Sequence, residues 1–169
     1  MKQDFVFVEN AGLILLWPFF SFYFQSLGLV NENKFISKSA KVRGSNLLQF
    51  LVTGKENNYE YQMPLNKLLC DLPKNFPIDT SISLTDEERK MSEELLNTAI
   101  SRWDIISNTS IEGLRNSFLK RDGKIEWGED KIILHVEMKS YDMLVDKIPW
   151  NISVIKLPWM KNSLYVKWR

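Results

Sequence analysis

The residues best suited to chemistry in this chain are one cysteine, one histidine and one run of acidic side chains. Cys70 and His135 could form the thiol–imidazole pair of a hydrolase, but nothing in the sequence places them together. Cys70 ends an apolar turn, where a buried and unreactive thiol is the usual outcome. A hydrolase that uses Cys70 therefore stays an open alternative, which substitution by serine would test.

The chain also lacks the residue patterns that define metal sites, phosphate-binding loops and serine hydrolases. A structural zinc site needs four Cys or His ligands, and the chain has one of each. The acidic run Asp86–Glu88 follows Thr85 at the start of a helical pattern, where it caps the helix and matches the positive end of the helix dipole. Neither a glycine-rich phosphate loop nor a G-x-S-x-G elbow is present. We therefore expect no catalytic residue, metal or cofactor, and no enzyme activity.

The composition narrows the class of protein further. The 169 residues carry 22 basic and 21 acidic side chains, a net charge of +1, so no basic excess exists to neutralise a phosphate backbone and nucleic-acid binding is not expected. A single cysteine excludes an internal disulfide and fits a reducing cytoplasm. The length predicts one domain over 1–169. Six tryptophans favour a protein with contact surfaces.

One segment raises a membrane alternative. Ala11–Val30 contains no charged residue and is long enough to span a bilayer, which would make the chain a membrane-anchored or membrane-inserting protein. Pro18 interrupts its middle, and Gln25 dilutes its second half. Asp4 and Glu9 precede it where a signal peptide would be basic. We therefore expect a buried helix of a soluble domain.

Hydrophobic periodicity predicts a mainly helical region over 1–122. Thr85 with Glu88, and Thr109 with Glu112, form two S/T-x-x-E capping boxes that open amphipathic helices. Two such helices joined by a short link predict an antiparallel helical hairpin. The earlier elements are predicted as a strand at Asp4–Val8, a helix at Gly12–Leu29 that is kinked or restarted at Pro18, and a helix at Lys41–Val52.

The period changes to that of strands over 123–169. Apolar residues alternate along Ile132–Met138, and Ile125–Trp127 precedes them across a turn, which predicts a β-hairpin. A short helix at Tyr141–Ile148 follows, and Ile152–Leu157 and Leu164–Trp168 form a second strand pair. The predicted fold class is α+β, with N-terminal helices including a helical hairpin, followed by a small antiparallel sheet.

The segment Ile148–Met160 contains two Pro-Trp steps around a strand-like run. Proline removes a backbone donor, and tryptophan brings the largest apolar area of any side chain, so the pattern indicates a shaped apolar surface. Trp159 and Met160 at a hairpin tip either contact a partner or fold back onto the domain, and Trp17–Phe20 is either core or a partner face. The candidate partner interface comprises Trp17, Phe19, Phe20, Trp150, Leu157, Pro158, Trp159 and Met160.

Several segments, in this order and across nearly the whole chain, resemble the C-terminal domain of the tape measure protein of contractile injection systems. These systems are phage-tail-like machines with a sheath, an inner tube and a spiked baseplate. The segments are Val8–Phe19, Leu47–Gly54, Leu65–Cys70, Leu84–Glu88, Asn108–Arg115 and Ile148–Met160.

The resemblance implies a structural role in setting the length of the inner tube, without catalytic residues or cofactors. Its implied partners are the tube, hub or baseplate proteins, and it allows an oligomer within a symmetric particle. It also implies assembly in the cytoplasm, then a place within the injection particle. A ruler needs an extended element, whereas this chain is predicted to be globular throughout. We therefore expect an anchoring module without the measuring segment: a fragment, a split subunit or a stand-alone relative.

Overall fold

The structure is a computed structural model that describes residues 4–168. The strands are β1 Asp4–Val8, β2 Val30–Asn31, β3 Lys34–Phe35, β4 Gly123–Trp127, β5 Ile132–Val136, β6 Val154–Ile155 and β7 Leu164–Lys167. The α-helices are α1 Phe20–Ser26, α2 Lys38–Thr53, α3 Pro64–Leu69, α4 Asp86–Arg102 and α5 Ile111–Leu114. Shorter helical pieces are the 3₁₀ segments Ala11–Phe19, Glu60–Gln62, Asp104–Ile106 and Asp142–Lys147 and the π turn Arg115–Leu119.

The main sheet has five strands in the order β1-β4-β5-β7-β6 and is mixed. The pairs β1–β4, β4–β5 and β6–β7 are antiparallel, whereas β5 and β7 run parallel. Both predicted hairpins are present, but the prediction of helices first and then a small antiparallel sheet is wrong. The first strand of the chain forms one edge of the sheet, and the helices lie mostly between β1 and β4 in the sequence.

The error has a physical cause. Alternating hydrophobicity shows which residues of a strand face the core, but it does not show which strand lies alongside. A parallel pair requires a long crossover connection, and residues 137–163 supply it between β5 and β7. The pairing of β1 with β4 is set by packing between segments far apart in sequence.

The predicted helix at Gly12–Leu29, kinked or restarted at Pro18, corresponds to two consecutive helical segments. Ala11–Phe19 is a 3₁₀ helix that includes Pro18, and α1 begins only at Phe20. Residues Leu13–Leu16 are almost completely buried, and this all-round burial explains the absence of an amphipathic stripe. A side chain at Gly12 would collide with the backbone carbonyl of Phe118, so only glycine permits this close approach of the 3₁₀ segment to the π turn.

Local capping signals explain where the longer helices begin and end. The predicted capping box is present at α4: Thr85 Oγ1 accepts from the Glu88 N–H at 3.1 Å, and Glu88 Oε1 accepts from the Thr85 N–H at 2.9 Å. Gly54 adopts a φ of 69° and ends α2.

The second predicted capping box is wrong. Ser110 is the N-cap of α5 and accepts from the Gly113 N–H at 3.0 Å, while Glu112 pairs with Arg115 instead. The expected second helix of the hairpin is short, because α5 continues into the π turn after Leu114.

The main apolar core draws residues from the 3₁₀ segment Ala11–Phe19, from α1, α2, α4 and from the inner face of the sheet. Two polar groups of residues lie within this core. One is an amide cluster in which Asn10 donates to Gln49 and Asn66, each at 2.8 Å. The other is a bidentate ion pair between Arg121 and Asp142, whose side chains are both fully buried.

Candidate partner interface

The structure divides the eight predicted interface residues into two groups. Trp17, Phe19 and Trp150 are half-buried and Pro158 is exposed, so these four offer surface to a partner. The other four are buried: Phe20, Leu157, Trp159 and Met160. The candidate interface that remains accessible therefore lies mainly around the N-terminal 3₁₀ segment.

The tip between β6 and β7 folds back onto the domain, which is one of the two alternatives that the sequence left open. The Trp159 indole N–H donates to the Leu69 carbonyl at 2.7 Å. The Trp159 ring packs against Phe35 and Phe24, with ring centroids 5.1 and 5.8 Å away. Trp159 is 8% exposed, so it fixes this tip to α3 and α1 and presents little surface outward.

The half-buried tryptophans connect the 3₁₀ segment Ala11–Phe19 to the loop that contains Trp150. Trp17 donates its indole N–H to the carbonyl of Asn151 at 2.6 Å, and Trp150 donates its own to the carbonyl of Leu15 at 2.9 Å. The rings of Trp150 and Phe19 meet edge to face at 5.3 Å. These contacts fix the positions of three aromatic side chains that are only partly covered.

The sequence did not single out Phe22, which extends this surface. Phe22 is 71% exposed although it lies on α1 within the apolar run. It lines a cleft of about 370 Å³ between α1 and α4, together with Phe19 and Leu95. We define the aromatic patch as Trp17, Pro18, Phe19, Phe22 and Trp150.

Two charged residues lie beside the phenylalanines of the aromatic patch. The Arg102 guanidinium lies 5.8 Å over the Phe19 ring, and Glu94 also lines the cleft. Beneath them Tyr23 shares a 2.6 Å hydrogen bond with the Ser92 hydroxyl. Burial raises the pKa of the Tyr23 phenol well above its usual range, so this group stays neutral. An apolar floor with a polar rim is the usual composition of a protein-binding surface.

Cys70 and His135 lie in unrelated environments. Cys70 is fully buried, and its sulfur lies close to Gly44 of α2. Burial raises the pKa of the Cys70 thiol to about 12, so the thiol is protonated at neutral pH and is a poor nucleophile. His135 lies on β5 and contacts Glu126 of β4 through Nε2 at 2.8 Å. This geometry does not support the hydrolase alternative.

The acidic run Asp86–Glu88 forms the first turn of α4, and Glu88 takes part in its capping box. Desolvation opposes ionisation of Glu88, but hydrogen bonds from Arg43 and from the Thr85 N–H outweigh it and hold the pKa of Glu88 below its usual range. Arg89 bonds Asp86 at 2.8 Å. Within residues 4–168, no three or more Cys, His, Asp or Glu side chains come together as a set that could hold a metal ion.

The sequence profile of the family described as "contractile injection system tape measure protein" matches residues 1–168. The chain belongs to this family. The resemblance noted from the six sequence segments is therefore confirmed. Tape measure proteins are structural components of an injection particle. No curated protein and no solved structure matches the chain.

In this tape measure family member, three of the segments that carry the resemblance belong to the helices α2, α3 and α4. Leu47–Gly54 ends α2, Leu65–Cys70 covers most of α3, and Leu84–Glu88 forms the capped start of α4. Across the described part of the chain, no helix combines the length and apolar character needed to cross a bilayer. The apolar residues of Ala11–Val30 instead pack against α2, α4 and the π turn.

Proposed function

We propose that this chain is a structural assembly module of a contractile injection system that docks on a tube, hub or baseplate protein. In that position it anchors the tape measure, at the hub or baseplate or in the tube lumen, while tube length is determined. The observation that supports this proposal is the aromatic patch, which is accessible yet held in place by the hydrogen bonds of Trp17 and Trp150. A pre-ordered apolar surface loses little conformational entropy on binding.

The dimensions of the elements support an anchoring role over a measuring role. The longest helix within residues 4–168 is α4, which has 17 residues and spans about 26 Å at 1.5 Å per residue. We therefore assign the measurement of tube length to another polypeptide stretch. In this proposal the chain assembles in the cytoplasm and afterwards resides within the injection particle.

A pair of variants with matched exposure tests the docking surface. Phe22→Glu places a charge in the aromatic patch, whereas Tyr61→Glu changes a side chain of equal exposure (70%) outside it. We expect Phe22→Glu to weaken co-purification with tube, hub or baseplate proteins about tenfold or more, because a buried unpaired carboxylate is costly. Both variants should keep the circular dichroism spectrum of the parent. Equal capture of the two variants would contradict the proposed surface.

Particles that lack this chain test the assembly role itself. Electron micrographs should show tubes that fail to start or that lose uniform length. Particles of normal number and normal tube length would overturn the proposal, whatever the result of the docking experiment.

A further inference from the structure

β1 forms an edge of the main sheet with one side unused. It pairs with β4, and among residues 4–168 no hydrogen bond to its backbone comes from any other element. Natural edge strands are usually protected by proline, by a bulge, by inward charge or by short length. β1 has neither a proline nor a bulge and runs five residues in unbroken register, from Asp4 opposite Trp127 to Val8 opposite Gly123. Its free side can therefore accept another strand.

The side chains of β1 also leave an apolar surface open. Phe5 is 43% exposed and Phe7 is 79% exposed, whereas Val8, on the opposite face, is buried. Side chains alternate along a strand, so both phenylalanines lie on the sheet face that points away from the core. The Lys124 ammonium lies 4.7 Å over the Phe5 ring and covers one side of it. The packing of the domain itself does not require two exposed phenylalanines on its edge strand.

We propose that β1 pairs with β1 of a second copy of this chain, antiparallel and centred on Val6, so that the two sheets join across a twofold axis. A register that keeps both phenylalanine faces on the same side of the joined sheet must pair odd residues with odd residues. Among such registers, the one centred on Val6 gives a partner to every residue of β1. Phe5 then lies opposite Phe7 of the second copy, and Val6 lies opposite itself.

The charges around β1 complement one another in this register. Phe7 pairs with Lys124 on β4, and Phe5 pairs with Glu126. Each row across the joined sheet therefore reads Lys124 and Phe7 of one copy, then Phe5 and Glu126 of the other. A cation and a carboxylate flank each aromatic pair, and no like charges oppose each other. The one acidic residue of the strand, Asp4, is already paired with Lys74 and lies opposite Val8.

Self-association of the full chain tests this interface directly. Sedimentation velocity over a concentration series should show a monomer–dimer equilibrium. Phe7→Lys should weaken dimerisation about tenfold or more, because lysine on an exposed edge opposes strand pairing. The control is Tyr61→Lys, which changes a 70% exposed aromatic side chain outside both β1 and the aromatic patch and should leave dimerisation unchanged.

A cross-link tests the register. In an antiparallel pair, directly opposite residues have Cα atoms about 4.5–5.5 Å apart, which suits a disulfide. Val6→Cys should therefore form a covalent dimer on mild oxidation. The unaltered chain should not, because Cys70 is buried. Ser101→Cys, at an exposed position of α4, is the control for random collision and should cross-link poorly.

The outcomes separate clearly. A dimer that Phe7→Lys disrupts and Val6→Cys traps supports the proposal. A monomer at every concentration overturns it, and so does a dimer whose dissociation constant Phe7→Lys leaves unchanged. Val6→Cys cross-linking no faster than Ser101→Cys overturns the register. Strand pairing with a different protein would appear as binding that Phe7→Lys abolishes in a chain that is monomeric alone, and that result also contradicts self-pairing.

Discussion

At the scale of single residues, the tryptophans bind distant parts of the chain to one another. Within residues 4–168, five indole N–H groups donate to acceptors in other segments, four of them to backbone carbonyls and that of Trp168 to the Asp142 carboxylate. A buried indole needs such a partner, because an unpaired polar group in the core is costly. The abundance of tryptophan, which at first indicated contact surfaces, is thus mainly explained by internal packing.

Trp159 provides the sharpest test of this view. We expect Trp159→Ala to lower the free energy of unfolding by about 3–5 kcal/mol, because it leaves a large cavity beside Phe24 and Phe35. Urea denaturation would measure the loss. Trp159→Phe should cost less, since it keeps a ring but loses the bond to the Leu69 carbonyl. Unchanged stability together with lost partner binding would support the alternative in which this tip contacts a partner.

The buried ion pair is the other residue-scale feature with a clear consequence. Arg121 donates to the Asp142 carboxylate at 2.6 and 2.9 Å. The Trp168 indole N–H and the Lys139 backbone N–H donate to the same carboxylate. Desolvation opposes ionisation of Asp142, but these hydrogen bonds outweigh it and hold the pKa of Asp142 below its usual range. Asp142 is therefore ionised in the folded protein at neutral pH.

We expect Asp142→Asn to destabilise the fold by about 3–5 kcal/mol at pH 7, because Arg121 is left as an unpaired buried charge. The folded pKa of Asp142 lies below its unfolded value of about 3.9, so the stabilisation is present above that value and is lost as pH falls through the folded pKa. Urea midpoints from pH 7 to pH 3 should therefore fall less steeply in the variant. Parallel pH profiles for the two proteins would contradict this assignment.

At the scale of elements, short-range hydrogen bonds decide where the helices begin. The box of Thr85 and Glu88 opens α4, and Arg43 of α2 also pairs with Glu88, so one carboxylate both caps a helix and joins two helices. At α5 the capping residue is Ser110, one position later than the sequence pattern indicates. The Ser110 hydroxyl reaches the Gly113 N–H, while Glu112 bonds Arg115.

Neighbouring substitutions distinguish the two candidate caps of α5. We expect Ser110→Ala to destabilise the protein by about 1 kcal/mol, because it removes the acceptor for a helix N-terminal donor. Thr109→Ala should have a much smaller effect, since its side chain caps nothing. Thermal or urea unfolding of both variants would measure the difference. A larger loss of stability for Thr109→Ala would instead support the predicted capping box of Thr109 and Glu112.

At the scale of the whole molecule, hydrogen bonds join an N-terminal segment to a loop near the C-terminal strands. The 3₁₀ segment Ala11–Phe19 and the loop Pro149–Asn151 exchange two indole–carbonyl bonds, and the aromatic patch lies at this junction. The main sheet also combines N-terminal and C-terminal segments, because β1 and β7 both belong to it. The shape of the proposed docking surface therefore depends on two segments that are far apart in the sequence.

A double-mutant cycle on Trp17 and Trp150 tests that junction. Each substitution by phenylalanine should cost about 1 kcal/mol, the usual net value of one hydrogen bond. The double variant should depart from additivity by about 0.5 kcal/mol or more, because both bonds hold the same two segments. Urea unfolding of the four proteins gives the coupling energy. Strict additivity would show that the two bonds act independently.

Much of the local structure could be predicted from the sequence. The strand Asp4–Val8, the capping box at Thr85, the end of α2 at Gly54 and both hairpins depend on neighbouring residues, whose propensities and hydrogen bonds act over a few positions. The candidate site was predictable only in part. The sequence left Trp17–Phe20 open between core and partner face, and the structure leaves Trp17 and Phe19 half-buried. The burial of Trp159 depends on where α1 and α3 lie.

The sequence by itself determined that this chain has a large apolar core, that its cysteine cannot form an internal disulfide, and that its ordered segments resemble tape measure proteins. Composition and motif order carry that information without coordinates. Only the tertiary structure decided that β7 runs parallel to β5, that β1 closes the sheet at an exposed edge, and which aromatic side chains stay accessible. Those outcomes depend on contacts between segments far apart in the chain, and no local pattern encodes such contacts.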